Sequence, residues 1–287
     1  MRHARLLPVL ASALLAAAPA YAQAPDTPAA PPADGDFGSS ITVALAGAAV
    51  PDYEGSDDYD ITPAPGAIGT IAGFPFQLIG NRISVDLIPN TSGPGYDFQL
   101  GPTAVLNLNR SNIDSISDRR VQALGELDTG IEVGAYAGIG KVGVITSDFD
   151  RLSVSVSYRN DVNGASKGGV WSPSISYLTP LSRKAAVGLF GSAEHADDDF
   201  ADYYFSVRPG QVAASGLPAF TAEGGWKSYT IGALATVSLT GDLLHGFKLV
   251  AGGTYKRMLN DFGDSPITSI AGDKTQWLGA VGLAYTF

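Results

Sequence analysis

The fold of this chain is decided by a stretch of regular alternation, YDFQLGPTAVLNL, at residues 96–108. Every second position from Tyr96 onward is apolar, and the positions between are mostly polar, as at Asp97, Gln99 and Thr103. A β-strand has this period of two because successive side chains point to opposite faces of the sheet. The stretch therefore predicts a strand with one apolar face and one polar face.

The same alternation recurs along the chain, most clearly at 83–87, 152–158, 171–177 and 229–239. Beyond the N-terminal segment, no stretch approaches the roughly 20 apolar residues of a membrane-spanning helix. We therefore expect an all-β protein of about twelve antiparallel strands, with ten or fourteen as alternatives. The expected strands cover 40–50, 61–71, 74–80, 82–89, 95–108, 129–139, 142–160, 169–179, 184–194, 226–239, 246–258 and 276–287.

Two features of these strands favour a transmembrane up-and-down β-barrel over a soluble β-sandwich. Aromatic residues lie near the strand ends, as in the interfacial girdles of a membrane barrel. Polar and charged residues occupy the inner face, which a dry sandwich core would not accept but a wet lumen can. The aromatic residues are Tyr96, Tyr158, Trp171, Tyr177, Tyr229, Phe247, Tyr255 and Trp277, and the inward charges are Glu132, Glu194, Lys248 and Lys256.

The connections between strands alternate in length, which is a third such feature. Short turns are expected at 72–73, 88–94, 140–141, 179–183 and 240–245, and long polar loops at 51–60, 109–128, 161–168, 195–225 and 259–275. Only the turn at Gly80-Asn81 breaks the alternation. Short periplasmic turns and long outer loops are typical of bacterial outer-membrane barrels, and an even strand count brings both termini to the periplasm.

The N-terminal segment predicts export. Arg2 and Arg5 form a short positive region, an apolar run follows at 6–18, and Ala-Tyr-Ala at 20–22 offers a cleavage site for a secretory signal peptide. The next residues are rich in proline and predict an extended segment. The expected segments are a signal peptide at 1–22, a periplasmic leader at 23–39 and an outer-membrane barrel at 40–287.

The C-terminal strand completes the predicted barrel. Alternate positions from Trp277 to Phe287 are apolar, and the chain ends on an aromatic residue. We expect this strand to pair with the first one near Ile41, Val43 and Leu45, because an open edge in lipid would leave backbone amides unsatisfied.

The composition excludes several other classes of protein. With 45% hydrophobic and 16% charged residues, the chain is neither disordered nor a typical soluble enzyme. Its net charge of -10 and its scattered basic residues argue against nucleic-acid binding. The absence of cysteine excludes disulfides, cysteine-ligated zinc and thiol catalysis.

Four separate motifs together resemble the MipA/OmpV family of outer-membrane proteins. They are PDYEGSDDY at 51–59, QVAASGLP at 211–218, DSPI at 264–267 and the ending LAYTF at 283–287. The resemblance covers about 41–287 and departs from the family in the proline-rich leader and in the acidic stretch His195–Asp199. It implies an outer-membrane barrel, and its best-known member is described as a scaffold. That scaffold joins a murein-hydrolysing lytic transglycosylase to a penicillin-binding murein synthase.

A narrow small-solute channel is the alternative function. About twelve strands leave a small lumen, and inward charges can either line a pore or neutralise each other into a plug. The charges in question are Arg82, Asp86, Asp97, Glu132, Lys248 and Lys256.

Motifs that could indicate an enzyme are weak in this sequence. Gly138–Gly143 matches G-x-G-x-x-G, but a strand follows it instead of the helix that a dinucleotide site needs, so we interpret it as a tight turn. His195 lies near Ser192, Glu194 and Asp197, where a rim hydrolase would work, but neighbours on a strand face opposite ways. His245 falls in a short turn. We expect no catalytic residue, no cofactor and no enzyme activity.

Two acidic loop stretches could bind Ca²⁺, which takes six to eight oxygen ligands. Neither has EF-hand spacing. We therefore expect no specific metal site, but solvated loop charge or bridging by divalent ions to lipopolysaccharide, alongside contact with outer-membrane lipid. The residues are Asp52, Glu54, Asp57 and Asp58 in one stretch and Asp197, Asp198, Asp199 and Asp202 in the other.

Overall fold

The computed structural model describes residues 40–89 and 95–287 as a closed barrel of twelve antiparallel strands, which confirms the predicted count. The strands are β1 (Ser40–Pro51), β2 (Tyr59–Ile71), β3 (Phe74–Ile79), β4 (Arg82–Val85), β5 (Tyr96–Asn107), β6 (Gly130–Val142), β7 (Arg151–Asp161), β8 (Gly169–Ser182), β9 (Ala185–Ala196), β10 (Gly225–Ser238), β11 (Gly246–Met258) and β12 (Thr275–Thr286). The predicted signal peptide and leader lie outside the described residues.

The barrel closes between its first and last strands, as predicted. β1 pairs with β12 from Thr42 opposite Thr286 to Ala49 opposite Gly279. Because neighbouring strands run in opposite directions, β1 starts and β12 finishes at the same end of the barrel. We call this the turn end, since it also carries the short connections, and we call the opposite end the loop end.

The period-two pattern places apolar side chains outside and polar side chains in the lumen. Phe98 is 59% exposed and Val154 49%, whereas Asp97 between its apolar neighbours is 7% exposed and Ser155 8%. The predicted inward charges Glu132, Glu194 and Lys248 are also buried inside. Bilayer hydrocarbon solvates the apolar side chains of the outer face, which water would solvate poorly. This alternation is therefore typical of a membrane barrel.

The structure corrects the predicted boundaries between β6 and β7. The expected turn at Gly140-Lys141 is wrong, because Gly140 lies within β6, opposite Asp97 and Ser153. A Cβ atom at Gly140 would lie only 2.8 Å from Ser153 Oγ, so glycine is needed here for close packing and not for a turn. The chain turns later, from Gly143, whose φ of 74° favours glycine, and β7 begins at Arg151. Most of the G-x-G-x-x-G match is therefore strand.

The hairpin of β3 and β4 is shorter than predicted, since β4 ends at Val85 and not at 89. β2 pairs with β3 only from Gly66 to Ile71, so the described pairing leaves its first residues bonded to β1 alone. The Gly80 N–H donates to the Pro65 carbonyl where this pairing ends, so Pro63, two residues earlier, turns its backbone groups to the unpaired edge. Proline has no N–H, so Pro63 removes a donor that this edge would leave unpaired.

The long connections fold together over the loop end, and we call them the loop cap: residues 52–58, 108–129, 162–168, 197–224 and 259–274. In the described chain they contain the helices α1 (Arg119–Gln122), α2 (Asp198–Phe205), α3 (Val212–Ser215), α4 (Asn260–Asp264) and α5 (Pro266–Ser269). Their apolar side chains form two buried clusters, one around Phe200, Phe205 and Phe262, the other around Tyr53, Leu217 and Ile267. Across 40–89 and 95–287, every helix is too short or too polar to cross a bilayer.

Candidate functional site

Six charged side chains meet inside the barrel beneath the loop cap, and we call them the lumen network. They are Glu54 from the β1–β2 connection, Glu132 from β6, Arg159 from β7, Glu194 from β9, Lys227 from β10 and Lys256 from β11. Three are acidic and three are basic, so the network is balanced. Strand alternation aims the side chains of Glu132, Arg159, Glu194 and Lys256 inward, a bulge in β10 does so for Lys227, and Glu54 reaches down from the cap to meet them.

Lys227 is the centre of the network. Its Nζ lies 2.9 Å from Glu54 Oε1 and 2.7 Å from Glu194 Oε2, and the side chain is fully buried. The same Nζ lies 5.0 Å from the centre of the Phe200 ring, a cation–π contact with α2 of the loop cap. Lys256 Nζ also donates to Glu54. One loop carboxylate is thus bonded to two strands of the barrel wall.

Arg159 extends the network across the lumen. Its Nη2 donates to Glu194 Oε1 at 2.7 Å, and its Nε donates to Glu132. Glu132 Oε1 also accepts from Asn107 Nδ2 at 2.8 Å. Side chains from β5 to β11 are therefore joined in one chain of charged hydrogen bonds.

Burial makes the mutual pairing of these charges necessary. Burial alone would raise the pKa of the Glu54 carboxyl, but Lys227 and Lys256 outweigh it and hold that pKa below its ordinary value. An ion in a low-dielectric interior loses several kcal/mol of hydration, and only well-placed partners repay it. Removing one partner leaves the others buried and uncompensated, so the network is a strong constraint on the position of the β1–β2 connection.

Tyr53, next to Glu54, fixes the same connection to the last loop. Its hydroxyl donates to the Ala271 carbonyl at 2.6 Å, and the ring is fully buried. Burial raises the pKa of Tyr53 above its ordinary value, so the hydroxyl stays protonated and remains a donor. The neighbouring Asp52 accepts from the Ser117 N–H at 2.9 Å, which ties in the β5–β6 loop as well.

The six charges predicted to face the lumen all do so, but they serve different purposes. Glu132 and Lys256 belong to the lumen network. Asp97 pairs with Arg151 near the turn end, and Asp86 accepts from the N–H groups of Ile88 and Leu100 at 2.9 and 3.1 Å. Lys248 donates to Thr286 Oγ1, and Arg82 is buried in the wall. These charges therefore neither simply line a pore nor simply form a plug. Two of them belong to the lumen network, whereas Asp86, Asp97 and Lys248 are bonded to groups of the barrel wall.

The residues considered for a hydrolase do not form a cluster. His195 lies on the outer face, edge-on to the Trp226 ring at a centroid distance of 5.5 Å. Glu194 points the other way, into the lumen network. Asp197 caps α2, accepting from the Phe200 N–H at 3.0 Å. His245 is an exposed turn residue beside Asp242.

The acidic loop stretches are only partly solvated, contrary to expectation. Asp52 and Glu54 are buried and bonded, because the loop that carries them folds into the cap. Asp57, Asp58, Asp198 and Asp199 remain exposed. The described residues contain no group of acidic or histidine side chains arranged to hold a metal ion.

The sequence analysis missed Arg159, Lys227 and Arg151 as partners of the inward acids. Arg159 continues the inward register of Ser153, Ser155 and Ser157 along β7, so strict alternation could have found it. Lys227 lies where β10 has a bulge between Trp226 and Ser228, and strict alternation fails there. Glu54 was found as an acid but placed in solvent, since nothing local shows that its loop folds inward.

Comparison with known proteins identifies one matching family. A family model described as MltA-interacting protein MipA matches residues 43–287. No curated protein sequence matches the chain.

Similar solved structures include the NanC porin, at 9% identity and a TM-score of 0.45, covering 85% of this chain and 98% of the porin. The outer membrane channel DcaP of Acinetobacter baumannii is 10% identical with a TM-score of 0.38, covering 87% of this chain and 96% of DcaP. The Pseudomonas putida toluene transporter TodX is 8% identical with a TM-score of 0.34, covering 88% of this chain and 89% of TodX.

Proposed function

Because the chain belongs to the MipA family, we propose that this outer-membrane β-barrel is a scaffold that holds murein-processing enzymes at its turn end. The family description names an interaction with MltA, and the motifs resemble a family whose best-known member joins a lytic transglycosylase to a murein synthase. In bacterial outer-membrane barrels the short turns face the periplasm, where murein lies. Soluble murein enzymes can reach only that end.

The observation that carries this proposal is the occupied loop half of the lumen. The loop cap contributes packed aromatic side chains, and below it the lumen network crosses from β6 to β11. A permanently open pore needs a continuous water path, whereas the loop half of this lumen holds buried ion pairs beneath buried apolar clusters. A rigid, closed barrel suits an anchoring role better than a transport role.

Crosslinking in intact envelopes tests the scaffold. The chain would carry an affinity tag, envelopes would be treated with a reversible crosslinker, and the recovered lytic transglycosylase and penicillin-binding synthase would be quantified. We expect both enzymes to be enriched over envelopes that express a tagged barrel of another family. Recovery of neither enzyme above that control overturns the proposal.

A narrow channel is the second candidate, favoured by the small hydroxyl side chains that line the turn half of the lumen, such as Ser153, Ser155 and Ser174. Planar-bilayer recording separates the two functions. We expect no regular conductance steps from the purified wild-type barrel, because the loop half is occupied. Regular steps would replace the scaffold with the channel as the better description.

A further inference from the structure

The connection between β6 and β7, residues 143–150, lies at the turn end. The β2–β3 and β8–β9 connections there are two-residue turns, 72–73 and 183–184, whereas the β4–β5, β6–β7 and β10–β11 connections are longer, at 86–95, 143–150 and 239–245. Outer-membrane barrels ordinarily use short turns at this end. The β6–β7 connection is therefore longer than a turn between two strands requires.

Asp150 organises this connection from inside. Its carboxylate accepts from the backbone N–H groups of Val144 at 2.6 Å, Ile145 at 2.8 Å and Thr146 at 2.5 Å, and from the Tyr177 hydroxyl at 2.7 Å. Thr146 Oγ1 also lies 2.7 Å from Thr179 Oγ1, which joins the connection to β8. The connection therefore has one defined shape and loses little conformational freedom when it binds a partner.

The hydrogen bonds to Asp150 keep its carboxylate ionised. Burial acts to raise the pKa of Asp150, but the hydrogen bonds from the backbone and Tyr177 outweigh it and hold the pKa below its ordinary value. Turns at this end of an outer-membrane barrel face the periplasm, so the connection lies on the periplasmic side.

Large apolar side chains project from this connection. Ile145 is 67% exposed and Phe149 57%, and Val144 is also exposed. Leu181, near the end of β8, is also exposed, and it lies two residues after Thr179, whose hydroxyl contacts Thr146. We call Val144, Ile145, Phe149 and Leu181 the turn-end patch. Contiguous exposed apolar groups of this kind mark protein interaction sites in soluble regions.

Basic residues border the turn-end patch on one side. Arg183 and Lys184 form the β8–β9 turn directly after Leu181, and both are exposed. The Leu243 N–H donates to the Arg183 carbonyl at 2.9 Å, so the β10–β11 turn holds this basic turn in place. A matching partner surface has an apolar groove for Ile145 and Phe149 and carboxylates opposite Arg183 and Lys184.

We propose that the turn-end patch is the docking surface for the soluble murein-hydrolysing enzyme, which binds through an apolar groove bordered by acidic residues. This inference rests on the proposed scaffold function and assigns that function to one connection. The structured backbone of 143–150, its exposed apolar side chains and the adjacent basic turn all lie on the same part of the rim.

Substitution of the patch tests the inference in the full-length protein in envelopes. The variant Ile145→Ser with Phe149→Ser removes the apolar contacts and leaves Asp150 in place. The matched control is Ile71→Ser, which removes an exposed apolar residue beside the β2–β3 turn of the same end. We expect the double variant to reduce crosslinked lytic transglycosylase by about tenfold, as for interface hot spots, and the control to retain it.

The outcomes separate the inference from the function it rests on. If wild type and the double variant capture the enzyme equally, the inference is wrong and the scaffold stands. If wild type captures neither enzyme, the scaffold itself fails. If the double variant keeps its capture but inserts poorly into phospholipid vesicles, the patch is a lipid anchor and the docking inference is overturned.

A second variant tests the shape of the connection separately from its apolar groups. Asp150→Asn keeps every side chain of the patch but weakens the hydrogen bonds that hold its backbone. We expect reduced capture with an unchanged heat-modified gel shift, because the barrel remains closed. Full capture by Asp150→Asn together with full capture by the double variant would leave no role for this connection.

Discussion

The two ends of the barrel treat their apolar side chains in opposite ways. At the loop end, five connections pack on one another, and Tyr53, Phe200 and Phe262 are completely buried. At the turn end, the described connections contribute to neither of the two buried apolar clusters, and Ile145 and Phe149 are exposed. The loop end is complete within one chain, whereas the turn end offers groups that another molecule can cover. This difference is why the proposed docking surface lies at the turn end.

The largest expected effect on stability comes from removing the central cation of the lumen network, which lies beneath the loop end. Lys227→Met leaves Glu54 and Glu194 buried without their shared partner, and we expect a loss of about 3–5 kcal/mol in the free energy of unfolding. The matched control is Lys274→Met, which breaks the exposed pair with Asp264 and costs about 1 kcal/mol or less. Denaturant unfolding in detergent measures both. Equal losses would show that the lumen network does not constrain the loop end.

The next largest effect on stability is expected from a substitution in the barrel wall, which joins the two ends. Val154 faces lipid in the middle of β7, so Val154→Arg places a charge in hydrocarbon and costs about 2–4 kcal/mol if it lies near the bilayer midplane. Thr236→Arg points into the lumen and costs less, because its guanidinium stays out of the hydrocarbon. Heat-modified gel mobility in a denaturant series compares the two variants. The same loss in both would contradict the assignment of faces.

A smaller effect is expected from the β6–β7 connection of the turn end. Asp150→Asn weakens acceptors for three backbone N–H groups and costs about 1–3 kcal/mol locally. Because its folded pKa is depressed, the carboxylate stabilises the connection fully above the ordinary Asp pKa of about 3.9 and loses this effect as pH falls through the folded value.

Hydrogen exchange of the Val144, Ile145 and Thr146 amides measures that local stability. We expect protection relative to Asp150→Asn to persist unchanged from neutral pH down to about pH 4. Protection that disappears well above pH 4 would show that this carboxylate does not hold the connection.

The smallest effect is expected from Ile145→Ser with Phe149→Ser. These side chains are exposed, so the free energy of unfolding changes by no more than about 0.5 kcal/mol per site. Denaturant unfolding of the purified variant measures this. A large loss would mean that the turn-end patch packs against the barrel and is not free to bind another molecule.

The barrel itself was predictable because its signal is local. The alternation from Tyr96 to Leu108 and the apolar positions of β12 each determine a strand and its faces without reference to distant residues. The closure of β1 on β12 followed from the need to leave no edge in lipid. These rules use one or two neighbouring residues at a time, and the structure confirms the twelve strands that they predicted.

The loop cap and the turn at 143–150 were not predictable by the same rules. Tyr53 meets Ala271, and Glu54 meets Lys227, 218 and 173 residues away in sequence. No local pattern encodes such contacts, so Glu54 was assigned to solvent. At Gly140 the error was different, since a glycine required for packing under Ser153 has the same appearance in sequence as a glycine required for a turn.

The pairing of β1 with β12 determines the order of steps in which the barrel can assemble. Thr42 and Thr286, whose hydroxyls lie 2.6 Å apart, are separated by 244 positions in the chain. The strand that seals the cylinder is therefore the twelfth of the twelve in chain order. A polypeptide stalled before this strand keeps an unsealed margin, so the barrel can close in the outer membrane only after β12 has arrived.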